Sequence, residues 1–241
     1  MKVRVLVSLA LSSILLFGGS SLADSGKDKL YLDTLPSIVS VGITFDKSDL
    51  QKIHTVGSGV VVGEGGYILT TKHNFSTVGI AGVVVRMADR TIYRATTIIL
   101  DPEEDLALIK VDATGLIPVK IDLTRPVLPG DSVAVIAYPL IGMIRHSRPS
   151  IYSGIIANTH VTLNVPDGAT PNLLQLDVFV APGSSGGALM SEDGYLVGIA
   201  CMTATEFSSE GGPQHTMYFA YPIEDARRLL TDAGLVQKVN E

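Results

Sequence analysis

Cysteine is almost absent. The chain of 241 residues holds one, Cys201. No intrachain disulfide can form, so stability has to come from a buried core. The same scarcity removes the Cys clusters of zinc sites, and no two of the five histidines stand at an HExxH-like spacing, so no metal is expected. Charge is also sparse, at 17% of residues against 46% hydrophobic, which suits a globular chain and excludes a disordered one. Basic clusters are missing. Without Lys2 and Arg4 the chain carries 16 basic and 24 acidic residues, a net charge of −8. Such a balance gives no sign of nucleic-acid binding and repels anionic membrane surfaces. Internal repeats and low-complexity tracts are absent.

An apolar run of membrane-spanning length is lacking too. Val5 to Phe17 is mostly apolar but shorter than the roughly 20 residues a spanning helix needs. It follows Lys2 and Arg4 and leads into Ser21-Leu22-Ala23, with small residues at the −3 and −1 positions. That is the pattern of a secretory signal peptide over residues 1–23. The mature chain is then expected to be exported, periplasmic or secreted, with no membrane contact beyond the signal.

What is present is a series of short β-rich runs. Val60 to Val62 and Tyr67 to Thr71 flank Gly63-Glu64-Gly65-Gly66, a hairpin signal. Further runs are Val83 to Met87, Thr91 to Thr97, Leu106 to Val111, Ser132 to Ala137, Ile151 to Ile156, Leu173 to Val180, Gly187 to Met190, Tyr195 to Met202 and Met217 to Tyr221. Turn signals every ~8–12 residues predict an antiparallel barrel or sandwich. Alternating βα units are missing, which disfavours a doubly wound sheet. Asp24 to Lys29 reads as a loose polar segment. One helix is predicted from Pro222, where Ile223, Ala226, Leu229, Leu230 and Leu235 recur at helical spacing, with Gly234 as a late break. The division expected is a first β unit over 24–121, its strands starting near residue 30. The second covers 122–241, with strands to 221 and the helix outside.

Three segments bear chemistry. Pro182-Gly183-Ser184-Ser185-Gly186-Gly187 surrounds a serine with small residues. A serine hydroxyl is a poor nucleophile until a base takes its proton, and the attacked carbonyl needs backbone N–H donors as its charge develops. Glycines permit the φ/ψ that points several N–H groups at one spot, so Gly183 and Ser185 are the expected oxyanion donors. Thr70-Thr71-Lys72-His73 places a histidine at a strand end, where a general base can be held. Asp105 immediately precedes the run Leu106 to Val111, where its carboxylate can fix the tautomer of His73. Asp101, Glu103 and Glu104 read as a solvated acidic turn. Each segment alone has a bland reading: a surface turn, an ordinary histidine, an acidic loop. Together they stand in the order His, Asp, Ser, each beside a strand, which is the order of the chymotrypsin-like arrangement.

With these residues the sequence resembles the trypsin-like peptidase superfamily, and within it the HtrA/Deg-type proteases. The matching stretches are Gly57-Ser58-Gly59-Val60, Gly66 to Thr70 with His73, Asp101-Pro102 with Asp105-Leu106-Ala107, Gly130-Asp131, Ser153-Gly154-Ile155, Leu174-Gln175 with Asp177, Gly183 and Ser185-Gly186-Gly187, Gly198-Ile199, and Phe219 to Pro222. The resemblance covers about Ser37 to the end. It implies an all-β fold of two antiparallel six-stranded β-barrels with a C-terminal helix and a site in the cleft between them. His73 would be the base, Asp105 its orienter and Ser185 the nucleophile of peptide hydrolysis through an acyl-enzyme, with no cofactor. Counting back from Ser185, it implies a P1 pocket of Phe179, Val180, Ala200, Cys201, Met202 and Phe219, with Tyr221 beside it. None of these is charged, so aliphatic P1 residues are expected. Partners would be protein or peptide substrates, and Leu30-Tyr31-Leu32 could serve a homotrimer.

The departures are specific. The chain stops just after the helix, so peptide-tail sensing by a PDZ domain is expected to be absent. Ser184 replaces an Asn before the nucleophile, Asn74-Phe75 replaces an apolar pair after the histidine, and Tyr138-Pro139-Leu140 stands where a glycine-bracketed Pro is usual. Ser184 is not acidic, so activation by insertion of a new N-terminus is not expected. Cys201 reads as a small apolar residue at the pocket, and the glycines at 57, 59 and 63 lack the helix a nucleotide loop would open. Two rivals were weighed. Gly183-Ser184-Ser185-Gly186-Gly187 fits the esterase G-x-S-x-G, but a strand-turn-strand follows, and the only later histidine is His215. A non-catalytic, chaperone-like binder on the same fold is the alternative function.

Overall fold

The structure, a computed structural model, describes residues 26–46, 52–140, 148–165, 168–207 and 213–237. The signal-peptide segment 1–23 lies outside these. Helix α1 (Gly26–Thr34) leads through a 3-10 turn into the first barrel. That barrel comprises β1 (Ile38–Thr44), β2 (His54–Gly63), β3 (Tyr67–Thr71), β4 (Gly82–Arg86), β5 (Ile92–Leu100) and β6 (Leu106–Val111). It closes in the order β1-β2-β3-β6-β5-β4. The short β7 (Lys120–Ile121) crosses over and pairs in parallel with β12 (Tyr195–Phe207). The second barrel takes β8 (Ser132–Ala137), β9 (Ser150–Val165), β10 (Gly168–Asp177), β11 (Ala188–Ser191), β12 and β13 (Pro213–Pro222). The order is β11-β8-β9-β10-β13-β12, and the β11–β12 pairing closes the ring. The all-β double barrel with a C-terminal helix is the fold the sequence resemblance implied.

The strands read as continuous apolar runs because many of them are buried on both faces. Residue by residue they alternate between a barrel interior and the seam between barrels. In β2, Val61 points into the first interior, with Val39, Val41 and Ile68. Val60 and Val62 join the seam, with Leu69, Leu106 and Leu108. In β8, Val133, Val135 and Ala137 fill the second interior, while Ala134 and Ile136 meet the seam. The seam is thus an apolar core in its own right. Each fully buried Leu or Ile there stabilises the docking by about 1.5–3 kcal/mol.

Two helices differ in legibility. Of the segment expected to be loose, residues 26–29 instead begin α1, whose Leu30 inserts into the seam core with Tyr31 packed beside it; residues 24 and 25 lie outside the described residues. The predicted C-terminal helix is a 3-10 turn (Ile223–Ala226) running into α2 (Arg227–Asp232). It buries Ile223, Ala226, Leu229 and Leu230. Gly234, at φ 72°, ends it: its N–H donates to Thr231 O and that of Leu235 to Leu230 O, a left-handed cap that satisfies the last carbonyls.

Candidate active site

His73 sits on a 3-10 turn, Lys72–Phe75, that continues β3. Asp105 is the residue before β6, the ladder neighbour of β3, with Thr71 opposite Leu106. The register alone therefore brings the two side by side. The carboxylate grips the histidine twice: Oδ1 accepts from the His73 backbone N–H at 2.8 Å, and Oδ2 stands 2.6 Å from Nδ1. Lys72 N–H donates to Asp105 O at 3.1 Å. A carboxylate placed on Nδ1 in this way fixes the orientation of the imidazole.

The loop before Asp105 departs from the sequence reading. Asp101 is no solvated acid; it is 2% exposed. Its Oδ1 accepts from the backbone N–H groups of Glu103 and Glu104 at 2.9 and 3.0 Å. Its own N–H donates to Leu106 O, and its carbonyl accepts from Lys72 Nζ at 2.8 Å. Asp101 folds the loop that presents Asp105, while Glu103 alone of the acidic run stays fully at the surface.

Ser185 follows a tight turn. Ser184 N–H donates to Ala181 O at 3.0 Å, and Gly183, the third turn residue, has φ 84°. Pro then left-handed Gly is the signature of a type II turn. In it the Pro182 carbonyl points outward and accepts from Leu140 N–H at 2.6 Å. A trans peptide sends its N–H the opposite way, away from Leu140. Neither Gly183 N–H nor Ser185 N–H has an acceptor among the described residues. The Ser185 hydroxyl donates to Cys201 O at 2.9 Å.

The turn is braced from the other barrel. Ser58 is fully buried. Its N–H donates to Ser185 O at 2.8 Å, its Oγ donates to Gly183 O at 2.8 Å, and that Oγ accepts from Tyr138 N–H at 2.8 Å. Thr70 Oγ1 donates to Ser58 O at 2.7 Å. Gly186, at φ 86°, has no room for a side chain: a carbon there would collide with Ser58 O and Thr70 Oγ1. The sequence reading missed Ser58 and Leu140 as supports. The signal available was a serine between Gly57 and Gly59 in an otherwise bulky strand.

The residues expected around the P1 side chain divide between surroundings: Val180 and Ala200 belong to the second-barrel interior, while Cys201 and Phe219, with Met202 against them, belong to the seam. Val180, Ala200, Cys201 and Phe219 are buried, and Met202 is half-buried. Phe219 lies in the seam core with Leu173 and Cys201. Phe179 is 45% exposed, edge-on to Tyr152 and Tyr218 at 5.2 and 5.7 Å between ring centres. Burial drives the Cys201 thiol far above its ordinary range, which keeps it neutral and unreactive. Among the described residues no group of three His, Cys, Asp or Glu could hold a metal.

Residues 57–199 match the family model of the trypsin-like peptidase domain. The chain belongs to the trypsin-like peptidase family. Its relatives are of HtrA/DegS type, the branch the sequence motifs resemble. It is 32% identical over 200 residues to the serine endoprotease DegS of Escherichia coli (strain K12), covering 81% of this chain and 54% of that protein. It is 32% identical over 176 residues to a probable periplasmic serine endoprotease, DegP-like, of Pseudomonas putida (strain W619), covering 73% of this chain and 34% of that one. This trypsin-like chain thus spans about half the length, or less, of the curated relatives it matches. Among solved structures it matches the serine endoprotease from Yersinia pestis with TM-score 0.64 and 29% identity, over 85% of this chain and 65% of that one. The fold of the HtrA-type protease AlgW, solved with a decapeptide, matches with TM-score 0.66 and 24% identity, over 85% of this chain and 66% of that one.

Proposed function

We propose that this chain is a serine endopeptidase acting on exported proteins, with Ser185 as nucleophile, His73 as general base and Asp105 as its orienter. The observation that carries this reading is the double grip of Asp105 on His73 beside a serine turn with two unclaimed N–H donors. In the reaction, Ser185 Oγ leaves its bond to Cys201 O, attacks the peptide carbonyl and passes its proton to His73 Nε2. The N–H groups of Gly183 and Ser185 receive the oxyanion. The imidazolium then protonates the leaving amine, and a water, activated by the same imidazole, releases the acyl group.

Aliphatic P1 preference follows from Val180, Ala200, Cys201, Met202, Phe179 and Phe219, none of which could neutralise a buried Lys or Arg. Export is supported by residues 1–23 and by the periplasmic name of a relative. Exported or misfolded proteins are the substrate class proposed. A trimer through the N-terminal segment belongs to the same proposal. There, Leu30 is buried and Tyr31 Oη donates to Pro149 O, but Leu32 is 61% exposed.

The test is incubation of an unfolded casein with wild type and Ser185→Ala, reading product masses, alongside labelling by a fluorophosphonate. Wild type is expected to label and to cut after Val, Ala, Ile or Leu. Efficient cleavage after Arg overturns the pocket. Absence of both labelling and cleavage in the wild type overturns the protease in favour of a binding protein.

A further inference from the structure

Asn74 follows the histidine directly, on the turn that presents the imidazole. It is polar, yet only 5% exposed, so its amide needs partners. Nδ2 donates to Thr70 Oγ1 at 3.0 Å and reaches the Ser185 carbonyl at 3.4 Å. That carbonyl already accepts from Ser58 N–H. Both donors on the nucleophile's carbonyl therefore come from the first barrel, and one belongs to the residue next to the base.

The first barrel leaves room for this amide. A side-chain carbon on Gly57 would stand 2.6 Å from Asn74 Oδ1 and would press on Nδ2 as well. Gly57 lies in β2 opposite Val41, beside the register shift that leaves Val56 unpaired, and its φ is not left-handed. Glycine at this position is explained by the space the amide fills.

We propose that Asn74 is a positioning residue: it sets the distance between the His73 imidazole and the Ser185 hydroxyl by tying the turn that carries one to the backbone that carries the other, with Gly57 as its recess. This rests on the protease reading. Proton transfer from Ser185 tolerates little displacement, since a misplacement of ~1 Å can cost ~100-fold in rate. An apolar residue at 74 would fill the same recess but leave the Ser185 carbonyl with Ser58 alone.

Wild type, Asn74→Leu, Asn74→Ala, Gly57→Ala and the Gly57→Ala/Asn74→Ala double variant are compared. Competent sites are counted by fluorophosphonate titration, and casein turnover is expressed per counted site. Asn74→Leu, Asn74→Ala and Gly57→Ala are each expected to lower kcat per site about tenfold with KM little changed. The double variant is expected to be no slower than Asn74→Ala, because the added methyl then enters vacated space. A residue that only stabilised the fold would reduce the number of competent sites and leave kcat per site intact. That result, or losses that multiply in the double variant, overturns the proposal. If the wild type takes no fluorophosphonate, the protease reading falls, and the placement is read from the downfield Nδ1 proton of His73 by NMR. A shift in Asn74→Leu supports the tie between turn and barrel seam; an unmoved resonance overturns it.

Discussion

The two barrels hold the proposed catalytic groups by different means. In the first, the proposed base and its orienter are neighbours in one antiparallel ladder: β3 ends at Thr71, β6 begins at Leu106, and those two residues are partners. The grip of Asp105 on His73 N–H and Nδ1 is closed within that barrel. In the second, the proposed nucleophile sits on a turn between β10 and β11 that is held from two sides. Its own barrel supplies Leu140 N–H to Pro182 O, Ala200 O to Gly186 N–H and Cys201 O to the Ser185 hydroxyl. The first barrel supplies Ser58 Oγ to Gly183 O, and Ser58 N–H with the Asn74 amide to Ser185 O. Register alone places the first pair; the serine turn depends on docking as well, so a slip between barrels would disturb Ser185 before it disturbed the His73–Asp105 pair.

The largest effects come from removing a group on either side. Ser185→Ala and His73→Ala are each expected to lower kcat on casein by ~10⁴–10⁶-fold, and the His73→Ala/Ser185→Ala variant by no more than the worse single. Losses that multiplied would mean that the two barrels contribute independently rather than as one unit. Progress curves on a single casein preparation suffice for the comparison.

Much of this difference was open to sequence reasoning and part was not. His73, Asp105 and Ser185 could be nominated because each stands beside an apolar run, where a rigid strand can present it, and the first two do meet in the structure. Strands such as β6 and β8 were legible as unbroken apolar runs, since both their faces are buried. The outer halves of β9 and β12 were not. Beyond Ile156 and Met202 they pair with their own hairpin partners, at residues such as Asn164 and Thr205, and only scattered apolar residues there, Val161, Leu163 and Ala204, lean partly buried on the seam core, too few to stand out as a run. Helix α1 hid because only Leu30 and Tyr31 reach the seam core, too few to set a helical period. Asp101 was misread because a carboxylate that caps two backbone N–H groups looks, in sequence, like its solvated neighbours. Ser58 and Asn74 depend on contacts more than 100 residues away in the chain, which no local pattern encodes.

A matched pair of glycines tests the contrast at intermediate size. Gly66 has φ 87° and its α-carbon faces Val111 O, inside the first barrel; Gly186 has φ 86° and faces Ser58 O, across the seam. Alanine at either site forces a left-handed backbone and a collision with a carbonyl, costing about 1–3 kcal/mol. In a chain of this length that lowers Tm by ~2–4 °C per kcal/mol. Gly66→Ala is expected to leave kcat per fluorophosphonate-competent site unchanged. Gly186→Ala is expected to lower it by ~10–100-fold, because the collision moves the nucleophile. Equal per-site rates in the two variants would show that docking does not position Ser185.

The smallest expected effect lies where the second barrel reaches back to the first. Arg228 Nη1 stands 3.1 Å from Glu103 Oε1, which ties the C-terminal segment to the loop carrying Asp105. Beside it, burial and the nearby charge of Glu104, with smaller contributions from Glu224 and Asp101, push the Asp225 carboxyl up to about 6, although Asn172 Nδ2 donates to it at 3.1 Å. A carboxyl raised in the folded state favours folding in its protonated form. Its full benefit is present below the unfolded value of about 4 and is lost as pH rises through about 6. A shift of that size is worth at most ~3 kcal/mol. The group keeps part of its water, so ~1 kcal/mol is the discounted figure. Asp225→Asn retains an acceptor for Asn172 and cannot ionise. It is expected to raise Tm by ~2–4 °C at pH 8 and to match wild type near pH 4. Thermal melts of the two proteins across that range decide it. A gain at pH 4 that vanished at pH 8 would mean that the ionised carboxylate, through Asn172, holds the C-terminal segment against the first barrel.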